Sequence, residues 1–312
     1  MSSQPIKLFL ITGFLGSGKT TFLKRIIDSL GDKKIGILMN EFGKISVDGV
    51  ILRQNGIDIM EINNGSVFCS CLKGAFIDAL ITYSELPIEY LFVESSGMAD
   101  PSSIEQILNN VIGKVKGKEY DYRGTICVVD GLNFLDQVDL LLAIERQIAA
   151  SNLIIINKVD LIDDNHLHEV AEKIASINPK AEVVKASYCD IGVDFLDHKL
   201  KKVTLTAAME SCNTPANRPT AHIINAEGTF NNQKFADFLQ ALVPWALRMK
   251  GFFLLEDGWK QVDVVGSQIE IKPTEILRPV SELVIISDKG LPALQEIYAN
   301  WDKRFTAKMV VN

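Results

Sequence analysis

The stretch Gly13-Phe-Leu-Gly16-Ser17-Gly18-Lys19-Thr20 limits what this chain can fold into more than any other. It follows a short apolar run, residues 6–11, and opens a segment with helical spacing, residues 21–30. That is the strand, loop, helix setting which the pattern G-x-x-x-x-G-K-[ST] requires. The glycines let the backbone turn tightly enough for its N–H groups to surround a β-phosphate at the positive end of the following helix. In such a loop Lys19 neutralises the β and γ oxygens, and Thr20 offers its hydroxyl to Mg²⁺. The expected phosphate-binding set is therefore Gly13, Gly16, Ser17, Gly18, Lys19, Thr20 and Thr21.

A parallel α/β sheet accounts for the rest of the N-terminal part. Apolar runs at 6–11, 35–39, 90–93, 124–129, 153–156 and 181–184 are short and rich in β-branched residues, as strands covered on both faces are. Segments 21–30, 101–112, 140–150 and 165–177 carry three-and-four spacing of apolar residues and are long enough for crossover helices. Near residue 200 the periodicity stops in a polar stretch with two prolines. The expected division is a doubly wound P-loop domain over 1–205, a linker over 206–217, and a smaller α+β domain with an antiparallel sheet over 218–312. A chain of 312 residues is too long for one comfortable core, which also favours two domains.

Composition excludes several functions. A formal charge of -7 without a clustered basic face argues against general nucleic-acid binding and against anionic membranes. No window approaches the ~18 to 20 apolar residues of a membrane span, and the first residues lack the features of a secretory signal. A cytoplasmic protein is expected. Five cysteines, an odd number, speak against a disulfide framework. Cys127 reads as a buried strand residue, and only Cys69 and Cys71 stand close enough in sequence to suggest a thiolate site.

Two further motifs define the ligand. Asn157-Lys158-Val-Asp160 follows the apolar run 153–156, and an aspartate there can accept from both N1–H and the exocyclic amine of guanine, a donor pair that adenine lacks. Tyr90-Leu-Phe-Val-Glu94-Ser-Ser-Gly97 reads as a strand ending in an acid. The Glu94 carboxylate can hold Mg²⁺ or its water, while a Gly97 amide can meet the γ-phosphate and sense hydrolysis. The expected catalytic residues are thus Lys19, Glu94 and Gly97, with Thr20 and Glu94 on magnesium and Asn157, Lys158 and Asp160 on the base. A P-loop kinase, the rival reading, would need an acceptor site and no Asn-Lys-x-Asp.

These blocks, together with Asn40-Glu-Phe-Gly43, Glu61-Ile-Asn-Asn-Gly65, Met98-Ala-Asp-Pro101, Leu247-Arg-Met-Lys-Gly251 and Arg278-Pro-Val-Ser-Glu-Leu-Val, resemble the CobW-type P-loop GTPases, relatives of the nickel and urease accessory GTPases. The resemblance covers nearly the whole chain. It implies slow GTP hydrolysis to GDP and phosphate, a switch region over 40–65, and coupling of nucleotide state to metal or cofactor delivery to a client metalloprotein. It also implies a second domain that recognises the client or closes a homodimer.

The departures bear on the metal. The family's C-x-C-C reads Cys69-Ser-Cys71-Leu72 here, and Met39 and Lys44 stand where members often carry acids. A structural zinc site wants four ligands, usually thiolate or imidazole. Cys69, Cys71 and Glu41 are the local candidates for a transition metal such as Zn²⁺ or Co²⁺. A working metal site and a vestigial or redox-sensitive pair both fit this pattern, and with the latter the chain would be a nucleotide-gated partner of a corrinoid or other metalloenzyme that carries no metal itself.

Overall fold

Strands that are apolar on both faces avoid water only when helices cover them on both sides, and the N-terminal half folds that way. A computed structural model of the chain describes residues 4–41, 58–63, 73–111, 114–138, 141–200 and 219–311. The chain divides into two units, Met1–Thr214 and Pro215–Asn312. The interval 206–217, read from sequence as a linker, lies outside the described residues.

In the first unit β1 (Ile6–Thr12), β2 (Ile35–Glu41), β3 (Asp58–Asn63), β4 (Tyr90–Glu94), β5 (Tyr120–Asp130), β6 (Leu153–Asn157) and β7 (Glu182–Lys185) form one sheet in the order β3-β2-β4-β1-β5-β6-β7. Every neighbouring pair is parallel. The helices are α1 (Lys19–Leu30), α2 (Lys73–Ser84), α3 (Ile104–Val111), α4 (Phe134–Val138), α5 (Leu142–Ala149) and α6 (Asp164–Ile177). Alternation along β1 separates two cores. Phe9 and Ile11 pack with Phe22, Leu23 and Ile26 of α1, whereas Leu8 and Leu10 pack with Phe76 and Leu80 of α2 and Ile104 and Ile107 of α3. This is the doubly wound α/β architecture expected from the apolar runs.

Two differences from the expected strands have local causes. The fourth run was read as beginning at Gly124, yet β5 starts at Tyr120. The register between β1 and β5 shifts so that Arg123 is an extra residue, and a glycine beside such a bulge mimics a strand boundary in sequence. Strand β3 was not identified at all, because it falls inside the segment 40–65 read as a switch. Of that segment, 42–57 and 64–65 lie outside the described residues.

The second unit is α+β. Six strands, β8 (Thr220–Ala226), β9 (Arg248–Leu255), β10 (Gly258–Val265), β11 (Gln268–Pro273), β12 (Ser281–Ser287) and β13 (Met309–Val311), make an antiparallel sheet in the order β11-β10-β9-β12-β8-β13. Helices α7 (Asn232–Leu242) and α8 (Gly290–Arg304) bury Phe235, Phe238, Leu239, Ile297 and Trp301 against Met249, Phe253, Val262, Leu283 and Ile285. Trp301 packs at 4.6 Å from Phe305 and 5.5 Å from Phe238, centroid to centroid, and its indole N–H donates to the Ala307 carbonyl at 2.8 Å. No helix among the described residues is long and apolar enough to cross a membrane.

His222 on β8 is buried, and its Nε2 has no hydrogen-bond partner among the described residues. Desolvation lowers its pKa below the ordinary 6.5. The unfolded chain then binds the proton more readily than the folded one, so this residue's contribution favours folding fully above about pH 6.5 and is lost as pH falls through the lowered native pKa. In denaturant titrations the stability lost between pH 7.5 and 5.5 is expected to shrink in His222→Gln. An unchanged pH slope would show that His222 is not the sensitive group.

Candidate functional site

The loops after β1, β4, β5 and β6 leave the same, carboxyl end of the parallel sheet, because parallel strands end together. The register places Glu94 beside Ile11, Cys127 beside Thr12, and Asn157 beside Asp130. β1 stands between β4 and β5, so the loop after it opens where chain connections diverge to both sides, the usual ligand crevice of an open α/β sheet.

The loop from Gly13 to Gly18 is tightly enclosed. Gly13 has φ 134°, and a Cβ built there would sit 2.1 Å from the Val128 carbonyl oxygen. Gly18 has φ 112°, and its Cβ would meet the Asn157 Nδ2 at 2.5 Å. Any side chain at either position is excluded both by conformation and by space. Lys19 is buried at the start of α1 and donates through Nζ to the carbonyls of Gly13 at 2.8 Å and Phe14 at 3.1 Å. The ammonium thus lies curled back over the loop. Ser17 is buried, and its Oγ has no hydrogen-bond partner among the described residues. Thr20 is half-buried and Thr21 exposed.

Glu94 closes β4 with only 5% of its surface exposed, a costly place for a carboxylate unless a cation or donors face it. The next residue is tied to the P-loop strand, with Ser95 N donating to Ile11 O at 2.9 Å and Ser95 Oγ to Thr12 Oγ1 at 3.0 Å. Gly97 lies directly against the P-loop, for a Cβ there would stand 2.6 Å from Leu15 Cδ2 and 2.8 Å from the Leu15 nitrogen. The acid, the glycine and the P-loop expected from sequence are therefore brought together.

On the other side of the crevice Asn157 ends β6, and both ends of its amide are used inside the protein. Nδ2 donates to Ser17 O at 2.8 Å, and Oδ1 accepts from Cys189 N at 2.8 Å. Lys158 adopts a left-handed conformation, φ 64°, and its Nζ pairs with the buried Asp130 carboxylate at 2.7 Å. Asp160 follows in a short 3-10 turn, Val159–Leu161, and is exposed. A second loop braces this one, since Val159 N donates to Ala186 O at 3.2 Å and Ala186 N to Ile156 O at 2.8 Å.

Three contributors escaped the sequence reading. Asp130 ends an apolar strand as Glu94 does, and that position was the available signal. Gln147 lies at 0% exposure on the apolar side of α5 with Ile144 and Ile148, and its Nε2 donates to both Gly97 O and Ala99 O at 3.0 Å. A polar residue at apolar spacing marked it. Cys189 carried no sequence signal, yet it sits below the P-loop with Sγ 3.5 Å from Gly18 O and φ 56°. Burial pushes the thiols of Cys127 and Cys189 up to about 12, so both are unreactive as thiolates. Cys127 is the buried strand residue expected.

The transition-metal candidates are mostly out of reach. Cys69 and Cys71 lie outside the described residues, and Glu41 is placed only by its backbone, opposite Asn63 where β2 pairs with β3. Among the described residues no group of three or more His, Cys, Asp or Glu side chains is arranged to hold a metal ion.

Residues 7–185 match the family described as CobW/HypB/UreG, nucleotide-binding domain, and residues 220–301 match the cobalamin synthesis protein cobW C-terminal domain. The chain is 32% identical over 198 residues to the zinc chaperone YjiA of Escherichia coli, covering 62% of this chain and 61% of that one. It is 28% identical over 276 residues to the zinc-regulated GTPase metalloprotein activator 1 of Saccharomyces cerevisiae, covering 76% and 64%. For the counterpart in Dictyostelium discoideum the identity is 26% over 222 residues, and the match spans 46% of that relative's length. A crystal structure of Zn(II)-bound YjiA GTPase from E. coli aligns over 97% of this chain and 100% of its own, with TM-score 0.47 and 20% identity. With the nucleotide-binding match covering more than half of its length and the second match covering most of the C-terminal unit, the chain belongs to the CobW/HypB/UreG family.

Proposed function

We propose that this protein is a Mg²⁺-dependent GTPase that hydrolyses GTP slowly and couples its nucleotide state to delivery of a metal to a client protein. The observation that carries the reading is the meeting, at the carboxyl ends of the sheet strands, of a P-loop, an acid-to-glycine loop packed on it at Leu15, and an Asn-Lys-x-Asp loop tied to it through Asn157. The P-loop and Lys19 hold the phosphates, Asp160 reads guanine, and Lys158, oriented by Asp130, flanks the base. Thr20 and Glu94 would hold Mg²⁺, which supplies neutralisation of the phosphate charge when bound. The buried carboxylate and the buried Ser17 hydroxyl at the mouth of the loop suit that polar, charged occupant. The domain division for this function is 1–205, 206–217 and 218–312, and the location is cytoplasmic.

Metal delivery is supported by family membership and by relatives named as zinc chaperones and metalloprotein activators. The cargo enters at Cys69 and Cys71 with Glu41, as Zn²⁺ or Co²⁺. Leu72 in place of a third cysteine leaves the site short of ligands unless water or a second copy contributes. Affinity is therefore expected to be modest, and binding should release protons and weaken as pH falls, since only thiolates ligate. If GTP reshapes the segment 40–65, metal must alter GTP affinity by the same factor by which GTP alters metal affinity. Titration of Zn²⁺ and Co²⁺ under reducing conditions, with and without GTP, is expected to show binding whose strength depends on nucleotide. The double variant Cys69→Ser, Cys71→Ser should lose that dependence and keep GTP affinity. A wild-type protein that binds neither metal in either state rules out a carried cargo and favours a nucleotide-gated partner of a metalloenzyme, a reading that the Cys-Ser-Cys-Leu departure supports. Competition between ATP and GTP separates both from a kinase.

A further inference from the structure

Within the GTPase reading, we propose that Gln147 is the positioning residue that holds the Gly97 loop in its γ-phosphate-sensing conformation, so that Gln147 controls hydrolysis and GTP preference without touching the nucleotide. The side chain is fully buried on α5, fifty residues from the loop it grips, and its one NH₂ group donates both hydrogens, to Gly97 O and Ala99 O, each at 3.0 Å. An amide nitrogen has no more than two to give. Ala99 N donates to Ser96 O at 3.0 Å, which closes a turn over residues 96–99. The loop is thus folded around the end of the glutamine, with Gly97 held between that amide and the P-loop residue Leu15.

The other end of Gln147 is equally fixed. Its own carbonyl accepts from Ser151 Oγ at 2.6 Å, and the buried Asn178 donates through Nδ2 to the carbonyls of Ile148 and Ser151 at 2.8 and 2.9 Å. The last turn of α5 cannot shift without breaking these bonds. A loop that must meet a γ-phosphate within a hydrogen-bond length gains its accuracy from such a support. The Gln147 Oε1 has no partner among the described residues, so the cost of burying it is sustained for what the nitrogen does.

Three full-length proteins test this in the presence of Mg²⁺: the wild type, Gln147→Met, which keeps the volume and loses both donors, and Gln147→Glu. Single-turnover phosphate release and affinities for GDP and for a non-hydrolysable GTP analogue are measured on each. Losing two buried donors leaves two carbonyls unmet, enough for a change of about tenfold or more. In Gln147→Met hydrolysis is expected to fall by that factor, and affinity for the GTP analogue to fall while that for GDP stays within about twofold. Gln147→Glu should be as slow at pH 8 and regain activity relative to wild type towards pH 6, because a carboxyl buried among carbonyls takes up a proton readily and then donates once. Equal losses for GDP and the analogue, or no pH-dependent recovery, would reduce Gln147 to a packing role and overturn the inference. So would wild-type rates in both variants. A wild type that binds no guanine nucleotide would instead remove the GTPase reading, and this inference with it.

Discussion

Lys19→Ala is expected to lose GTP affinity by two orders of magnitude or more, and to lose GTP more severely than GDP. In the structure the ammonium is buried and satisfied by the carbonyls of Gly13 and Phe14, so it is already inside the loop that would receive the phosphates. Removing one member of a buried charged pair costs roughly 2 to 5 kcal/mol, and each 1.4 kcal/mol is about a factor of ten. The difference between GTP and GDP follows from the phosphate role proposed for Lys19, since a P-loop lysine neutralises β and γ oxygens and only the triphosphate offers both. Thermal unfolding of the nucleotide-free variant should also come at a lower temperature than wild type, because the buried Gly13 and Phe14 carbonyls lose their donor. Isothermal titration that returned wild-type affinity for a GTP analogue would refute the phosphate role of the loop.

Asp160→Asn is expected to move preference from GTP towards XTP by tenfold or more. In the base-reading role proposed for it the carboxylate accepts from two guanine donors, and an amide in its place opposes one donor with another while matching the additional carbonyl of xanthine. Each buried mismatch costs about 1 to 3 kcal/mol, so the ratio of the two affinities changes by more than either alone. Asp160 is exposed in its 3-10 turn, and the conformational burden of that turn falls on Lys158 at φ 64°, so the fold should be indifferent to the change. Competition of GTP against XTP decides the matter. An unaltered ratio in the variant would mean that the base is read elsewhere.

Most of the scaffold was legible because its cause is local. Runs such as Leu153–Asn157 are apolar on both faces, and a parallel sheet is the environment that allows it. The P-loop was legible because its backbone demands glycine at 13 and 18 for reasons visible in the close approaches of Val128 and Asn157. What stayed hidden depends on distant partners. Nothing near Gln147 in sequence announces Gly97, and nothing near Asn157 announces that its amide would bind Ser17 and Cys189. The carboxylate of Asp130 was passed over although it occupies the same strand-end position as Glu94, because no short motif names it. Domain limits rested on a loss of periodicity over 206–217, an interval outside the described residues.

Asn157 has one more consequence. A single amide, carried by the proposed base loop itself, ties that loop to the phosphate loop at Ser17 and to the loop after β7 at Cys189, so the two halves of the proposed nucleotide site keep a fixed spacing before any nucleotide arrives. Recognition then resembles chelation by a rigid clamp. Guanosine alone or inorganic triphosphate alone engages one jaw and bears the full loss of its translational freedom, whereas a joined nucleotide bears that loss once and collects both sets of contacts. The affinity of the whole therefore exceeds what the parts would suggest, and the length of the ligand between base and phosphate becomes a selected quantity in its own right.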